Sequence, residues 1–393
     1  MDGNMIVGIT KETYPGERRV AMTPAAAAPL IKKNHQVLLE SGAGTASGYL
    51  DEAYKEKGVE LCSRADVFAK SDVVLQVRGL GANPEAGKPD LDSMRKDQIL
   101  IGTFEPLTAF DEAKAVAGKG ARQFALELVP RITRAQSMDV LSSMATIAGY
   151  KAVLMAAERL PRMFPMLMTA AGTITPAKAF VLGVGVAGLQ AISTAKRLGA
   201  VVSANDIRPA VKEQVQSVGA KFVEVEMDAG AEDKGGYAKE MTEDFLRKQR
   251  ELISNVIAES DVVITTAAIP GKKAPILVPE DAVKRMQPGS IIVDLAAERG
   301  GNCELTKSGE AVDVNGVTIL GPENIPSSIP YHASQMFAKN VVTFLNNMLD
   351  KEGNLNLDME DEIIRDTLIC ENGDVVHSRI REAMGLAPAA AQS

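Results

Sequence analysis

Residues 179–206 read AFVLGVGVAGLQAISTAKRLGAVVSAND. The apolar run AFVL is followed by Gly183, Gly185 and Gly188 in the spacing G-x-G-x-x-G, then by apolar positions at 189, 192, 195 and 198, then by a second β-branched run. That order predicts strand, tight turn, helix and strand. In such a turn the first glycine allows the reversal, the second lets the backbone approach a pyrophosphate, and the third packs helix against strand. The helix start adds amide donors and partial positive charge. Gly183, Gly185, Val186, Ala187 and Gly188 are therefore the candidate pyrophosphate cradle. Asp206 ends the second strand, 23 residues after Gly183, where a carboxylate can accept both adenosine ribose hydroxyls and would repel a 2′-phosphate. This favours NAD over NADP. Ile207 and Arg208 adjoin it; Arg208 complicates the preference or is simply a solvated arginine. A glycine-tolerant turn in a Rossmann-like fold that binds nothing is the competing reading.

Working outward, the same alternation continues through KFVEVE, DVVITT and SIIVDLA to VTILG near Val317, and it fills the first 130 residues with MIVGIT, QVLLES, DVVLQV, ILIGTF and FALEL. Short apolar strands alternating with helical stretches predict parallel sheets. The expected fold class is α/β: two Rossmann-like domains joined by long helices, with a cleft between them. Thr23-Pro24 marks a helix start running toward Lys33. A long apolar-periodic helix from about 135 to 160 leaves the first block, and a second from His332 offers a return. The expected domains are thus 1–135 with 330–393, discontinuous, and 136–329, the nucleotide-binding one. Asn372-Gly373 predicts a two-residue hairpin turn between IIRDTLIC and DVVHSRI.

The whole chain of 393 residues is too long for one core. Lys and Arg number 43 against 51 Asp and Glu, a net charge of −8, which argues against nucleic acid as a partner. Three distant cysteines, Cys62, Cys303 and Cys370, suggest neither a disulfide framework nor a zinc site, and three scattered histidines leave no metal site. The amino terminus lacks the basic-then-apolar pattern of a signal peptide, and no uncharged apolar run reaches the roughly 18 residues of a membrane span.

The segment PRITRAQSMDVLSS, residues 130–143, is denser in polar groups than a helix cap needs. Ser137 or Asp139 can serve as the N-cap. The functional reading is a buried pair of an Arg with a carboxylate holding a planar amide, with Gln136 donating to and accepting from a nicotinamide carboxamide. Hydride transfer needs such positioning more than it needs acid or base groups.

Taken with the glycine stretch, KETYPGERRVAMTP, PRITRAQSMDVLSSM, TAAGTITPAK, DIRPAVKEQVQSVGAKF, GGYAKEM, TTAAIPGKKAP and VDLAAERGGNCE are far more specific than glycine spacing alone. From near Met5 to beyond Asn340 the chain closely resembles the soluble NAD(H)-binding component, the alpha subunit or first domain, of the proton-translocating nicotinamide nucleotide transhydrogenases. The resemblance implies NAD(H) bound by a homodimer, and hydride passed directly to NADP⁺ held by a separate NADP(H)-binding component (NADH + NADP⁺ to NAD⁺ + NADPH, Re/Si-specific). It further implies a membrane-spanning proton-channel component coupled to the reaction. The implied placement is cytoplasmic, peripheral on the inner face of the membrane, or on the matrix side if the chain is excised from a mitochondrial enzyme. The resemblance puts Arg131, Gln136 and Asp139 at the nicotinamide with Ser142 beside them, and Ile132, Thr133, Arg134, Ser137 and Met138 flanking the cofactor. It also implies a mobile loop carrying Gly236 and Tyr237, which agrees with residues 224–240 being polar, acidic and glycine-rich without periodicity. Ala268, just past the strand DVVI, is a further contact candidate.

Alanine dehydrogenases share the KE…RVA.TP opening and the VD.A…GG segment, and that family uses a lysine, a histidine and an aspartate at its substrate. This chain has Gln76, Glu105 and Glu298 at the matching places, so amino-acid oxidation is not expected. A nonenzymatic NAD-sensing module is a third reading. SGAGTASGY near Gly42 reads as a turn more readily than a phosphate cradle, and Met163, Met166 and Met168 as a packing or dimer contact.

Overall fold

The computed structural model describes residues 4–225, 243–269 and 271–387. These divide into two compact units: residues 4–144 with 326–387, and residues 145–325. Residues 136–144 and 326–329 fall with the first unit. The reason is local: Ala135 and Met138 are buried in its core, and the Asn340 side-chain amide donates to the Ser137 carbonyl at 2.8 Å.

In the first unit β1 (Ile6–Ile9), β2 (Gln36–Glu40), β3 (Glu60–Cys62), β4 (Val73–Arg78), β5 (Ile99–Thr103) and β6 (Arg122–Ala125) form a parallel sheet in the order β3-β2-β1-β4-β5-β6. Val73, Val74, Leu75, Gln76 and Val77 are buried in succession, the pattern of a strand covered on both faces. The predicted helix starts at Pro24 and ends at Lys32, but the Thr23 hydroxyl makes no capping bond.

In the second unit β7 (Leu167–Thr169) pairs only with β8 (Gly172–Ile174), and all residues of this hairpin are exposed. The main sheet comprises β9 (Lys178–Leu182), β10 (Val201–Asn205), β11 (Lys221–Phe222), β12 (Val262–Thr265), β13 (Ile291–Asp294), β14 (Ala311–Val314) and β15 (Val317–Leu320). Its order is β11-β10-β9-β12-β13-β15-β14, parallel except for β14 against β15. The strand sequence therefore reverses between β9 and β12, and ligands of such sheets lie outside the carboxyl ends at that reversal.

The chain then returns through the helix Pro330–Asn347 to β16 (Leu368–Glu371) and β17 (Asp374–Val375), antiparallel additions beside β6. Asn372 and Gly373 take the positive φ of the predicted turn (52° and 86°). The expected strand IIRDT is instead the helix Glu362–Thr367, because Asp361 caps it by accepting from the Ile363 amide at 2.9 Å. Among the described residues one helix, Val140–Arg159, has the length and mean hydropathy (1.4) of a membrane span, although Lys151 interrupts its apolar run. Its apolarity has a second use: Ala152, Val153 and Ala156 are buried in the second unit's core.

Candidate functional site

In the second unit the predicted cradle stands at the carboxyl end of β9. Gly183 has φ +90°, which only glycine adopts without strain. A Cβ on Gly188 would lie 2.0 Å from the Gly183 carbonyl oxygen, so the third glycine is a packing requirement. Gly185 differs: among the described residues nothing lies within 4 Å of where its Cβ would be. It is the N-cap of the helix Val186–Arg197 and supplies no side-chain acceptor to the first-turn amides. Unsatisfied donors facing open space are what an anion needs. The site therefore fits a dinucleotide pyrophosphate, with Val186 and Ala187 contributing those amides.

Asp206 follows β10. Its carboxylate accepts from the Val184 amide at 2.7 Å, from the Arg208 amide at 2.8 Å and from the Arg208 guanidinium at 2.9 Å. Arg208, although its side chain is 56% exposed, is thus held by Asp206 and is not a free arm. Burial pushes the Asp206 carboxyl up, and the guanidinium with the two amides more than reverses this, leaving it below its ordinary value. Ile207 beside it is 82% exposed, and Ala268 is exposed at the end of β12. Thr266 joins the two strand ends by donating from its hydroxyl to the Gly183 carbonyl at 2.9 Å. Gly236 and Tyr237 lie outside the described residues.

In the first unit the 3₁₀ turn Thr133–Met138 carries the other candidates. Its buried Ala135 and Met138 anchor it, while Arg131, Thr133, Arg134, Gln136 and Ser137 are exposed and Ile132 is half-buried. Asp139 caps the long helix: its carboxylate accepts from the Ser142 amide at 2.8 Å and from the Ser142 hydroxyl at 2.6 Å. The expected buried pair of arginine and carboxylate does not form here. Arg131 is exposed, and Arg134 reaches away to Asp361 at 2.5 Å and to Asn347 at 3.2 Å. The chain's own helix cap has claimed Asp139.

A buried ionic cluster that sequence reasoning missed stands at the carboxyl end of β4. The Glu17 carboxylate accepts from Arg19 at 2.7 Å and from Arg78 at 3.3 Å, and Glu12 accepts from the amides of Val77 and Arg78. Burial, then the neighbouring Glu17 charge, lifts the Glu12 carboxyl to about 8, whereas for Glu17 burial is outweighed by Arg19 and Arg78, which hold it at about 2. The run KETYPGERRVAMTP entered the sequence reading only as part of the family resemblance. The Gly42 amide donates to the Asp51 carboxylate at 3.0 Å and the Ser47 hydroxyl to the Gly44 carbonyl at 2.9 Å, so SGAGTASGY is a turn whose groups are held by the chain itself. Gln76 is buried and donates to Asp90 at 3.2 Å, Glu105 follows β5 at φ +50°, and Glu298 is exposed. Among the described residues no three His, Cys, Asp or Glu side chains group as a metal site.

A doubly wound nucleotide-binding unit with a glycine turn at its reversal, in a chain whose other α/β unit repeats the order of its first five strands, defines a class of nucleotide-dependent oxidoreductases. Residues 8–148 match the alanine dehydrogenase/PNT N-terminal domain and residues 152–378 the alanine dehydrogenase/PNT C-terminal domain. The chain is 45% identical over 377 residues to the first portion of the NAD(P) transhydrogenase subunit alpha of Rhodospirillum rubrum, a match spanning 95% of this chain and 98% of that protein. The crystal structure of transhydrogenase from Sinorhizobium meliloti superposes with a TM-score of 0.85 at 45% identity, over 94% of this chain and all of that one. An L-alanine dehydrogenase structure follows at a TM-score of 0.80 and 26% identity, over 97% and 99% of the two chains. The chain belongs to the alanine dehydrogenase/PNT family, and within it to the transhydrogenase alpha subunits.

Proposed function

We propose that this chain is the NAD(H)-binding component of a proton-translocating transhydrogenase. The observation that carries the reading is the uncapped helix start at Gly185, open in front and followed by Asp206 at the next strand end. The amides from Gly185 to Gly188 hold the pyrophosphate, and Asp206 takes the adenosine ribose as Arg208 gives way. Gln136, exposed on an anchored turn, donates to and accepts from the nicotinamide carboxamide. Asp139 and Ser142, bonded to one another, fix that turn at the helix start, and Arg131 stands beside it. Bound NADH supplies a hydride, which NADP⁺ on a separate component accepts directly. The chain's part is orientation and the exclusion of water, so it needs no general acid or base.

The exposed hairpin supports a homodimer. Two three-residue strands are too short to be stable alone in water. Met168 is 78% exposed there, beside exposed Met166, Leu167 and Ile174, a patch that a second copy would cover. Proton movement falls to a membrane-spanning component, which places this chain peripherally on the inner face of the membrane.

The test mixes the chain with an isolated NADP(H)-binding transhydrogenase component and follows reduction of a nicotinamide analogue by NADH. Turnover above background is expected. NADH binding without transfer would leave a sensing module, and alanine-dependent NAD⁺ reduction would leave an alanine dehydrogenase. Gln136→Asn should slow transfer at least about tenfold while changing the NADH Kd less than about threefold; equal losses in both would refute its positioning role.

A further inference from the structure

The loop after β12 is held from behind by a side chain that the sequence motifs do not single out. Asn302 is fully buried, and its amide grips the main chain of Ala267 in both directions: the Ala267 amide donates to Oδ1 at 3.0 Å, and Nδ2 donates to the Ala267 carbonyl at 2.8 Å. The second Nδ2 proton goes to the Pro275 carbonyl at 2.8 Å, so both donors of the amide are used. This is the pairing a neighbouring strand would make, supplied by one side chain where the sheet has ended.

Asn302 is itself immobilised. The buried Asp294 carboxylate, at the end of β13, accepts from the Asn302 main-chain amide at 2.7 Å and from the Cys303 amide at 2.9 Å. It also accepts from the hydroxyls of Thr306 at 2.7 Å and Thr265 at 2.9 Å. A carboxylate with that many donors is a fixed post. The chain of contacts runs from Asp294 through Asn302 to Ala267, whose neighbour Thr266 bonds to Gly183 in the glycine turn.

We infer that Asn302 is a positioning residue for nucleotide binding. It presets the main chain of residues 266–268 against the glycine turn, so that the ligand meets a formed surface and does not have to order it. The inference rests on the proposed nucleotide site and deepens it.

Two measurements test it on the full chain. In the nucleotide-free protein, the Ala267 amide should exchange with solvent as slowly as the amides of β12; exchange at loop rates overturns the inference without any variant. Asn302→Asp keeps the acceptor for the Ala267 amide but removes both donors, and it should raise the NADH Kd by about tenfold or more. The control is Val317→Ala, a core truncation in β15 of the same unit, compared well below both melting temperatures. It should leave the Kd within about twofold at a similar loss of thermal stability. Equal Kd values for Asn302→Asp and the control refute the positioning role, whereas absence of NADH binding by the unaltered chain refutes the site itself.

Discussion

Gly185→Ala separates the two things a glycine turn does. In the free protein the added methyl meets nothing within 4 Å among the described residues, and the backbone at φ −80° and ψ −165° suits alanine. Folding stability should therefore hold or rise, by about 0.4 to 1 kcal/mol, because the unfolded chain loses freedom. The same methyl projects into the space in front of the helix start, where the pyrophosphate is proposed to sit. Forcing an extra carbon into a filled contact costs about 1–3 kcal/mol. At about 1.4 kcal/mol per decade that is about a 5- to 150-fold rise in the NADH Kd. Gly188→Ala behaves oppositely in stability: its methyl would stand 2.0 Å from the Gly183 carbonyl, backbone against backbone, so the turn or the helix must move by about 1 Å to restore a normal contact. It should lose both thermal stability and affinity. Fluorescence titration with NADH and thermal melts on the two variants decide the matter. Unchanged affinity in Gly185→Ala would refute the placement of the pyrophosphate.

Two further outcomes are expected. Burial lifts the Glu127 carboxyl from an ordinary 4.5 to about 7, against the amides of Glu105 and Phe104 that pull it down. A raised folded-state value gives stability that is full below about 4.5 and lost as the pH rises to about 7, on the order of 3 kcal/mol. Glu127→Gln keeps an acceptor for both amides, so its urea midpoint should fall less between about pH 5 and 8 than that of the unaltered chain; parallel curves would refute the assignment. Met168→Asp puts a charge on the exposed hairpin and should shift sedimentation from dimer to monomer, while a retained dimer would remove the hairpin from the contact.

The architecture was legible wherever one period dominated. The apolar runs around Val7, Val74, Phe180 and Val263 became central strands because fully covered strands carry no polar face to confuse the pattern. IIRDT failed because its apolar pair fits a strand or a helix, and the deciding residue, Asp361, acts through a cap. At the site, glycine spacing with Asp206 was readable from local geometry. The clamp of Arg208 on Asp206 and the grip of Asn302 on Ala267 were not: Asn302 lies 35 residues from Ala267, and nothing in NCE distinguishes an amide that holds a loop from one that faces water. The ion pair of Arg134 was out of reach for the same reason, since its partner Asp361 is 227 residues away.

The first five strands of the two units follow one order, so the chain carries two sheet reversals of the kind that receive nucleotides. At the first, between β1 and β4, the carboxylates of Glu12 and Glu17 already occupy the strand-end amides and the guanidiniums of Arg19 and Arg78. That crevice is filled by its own counter-ions, and the loop after β1 lacks the G-x-G-x-x-G spacing of the second unit. The binding stoichiometry follows from this: a calorimetric titration with NADH should close at one equivalent per chain, because the strand-end amides of the first reversal are already taken by the chain's own carboxylates.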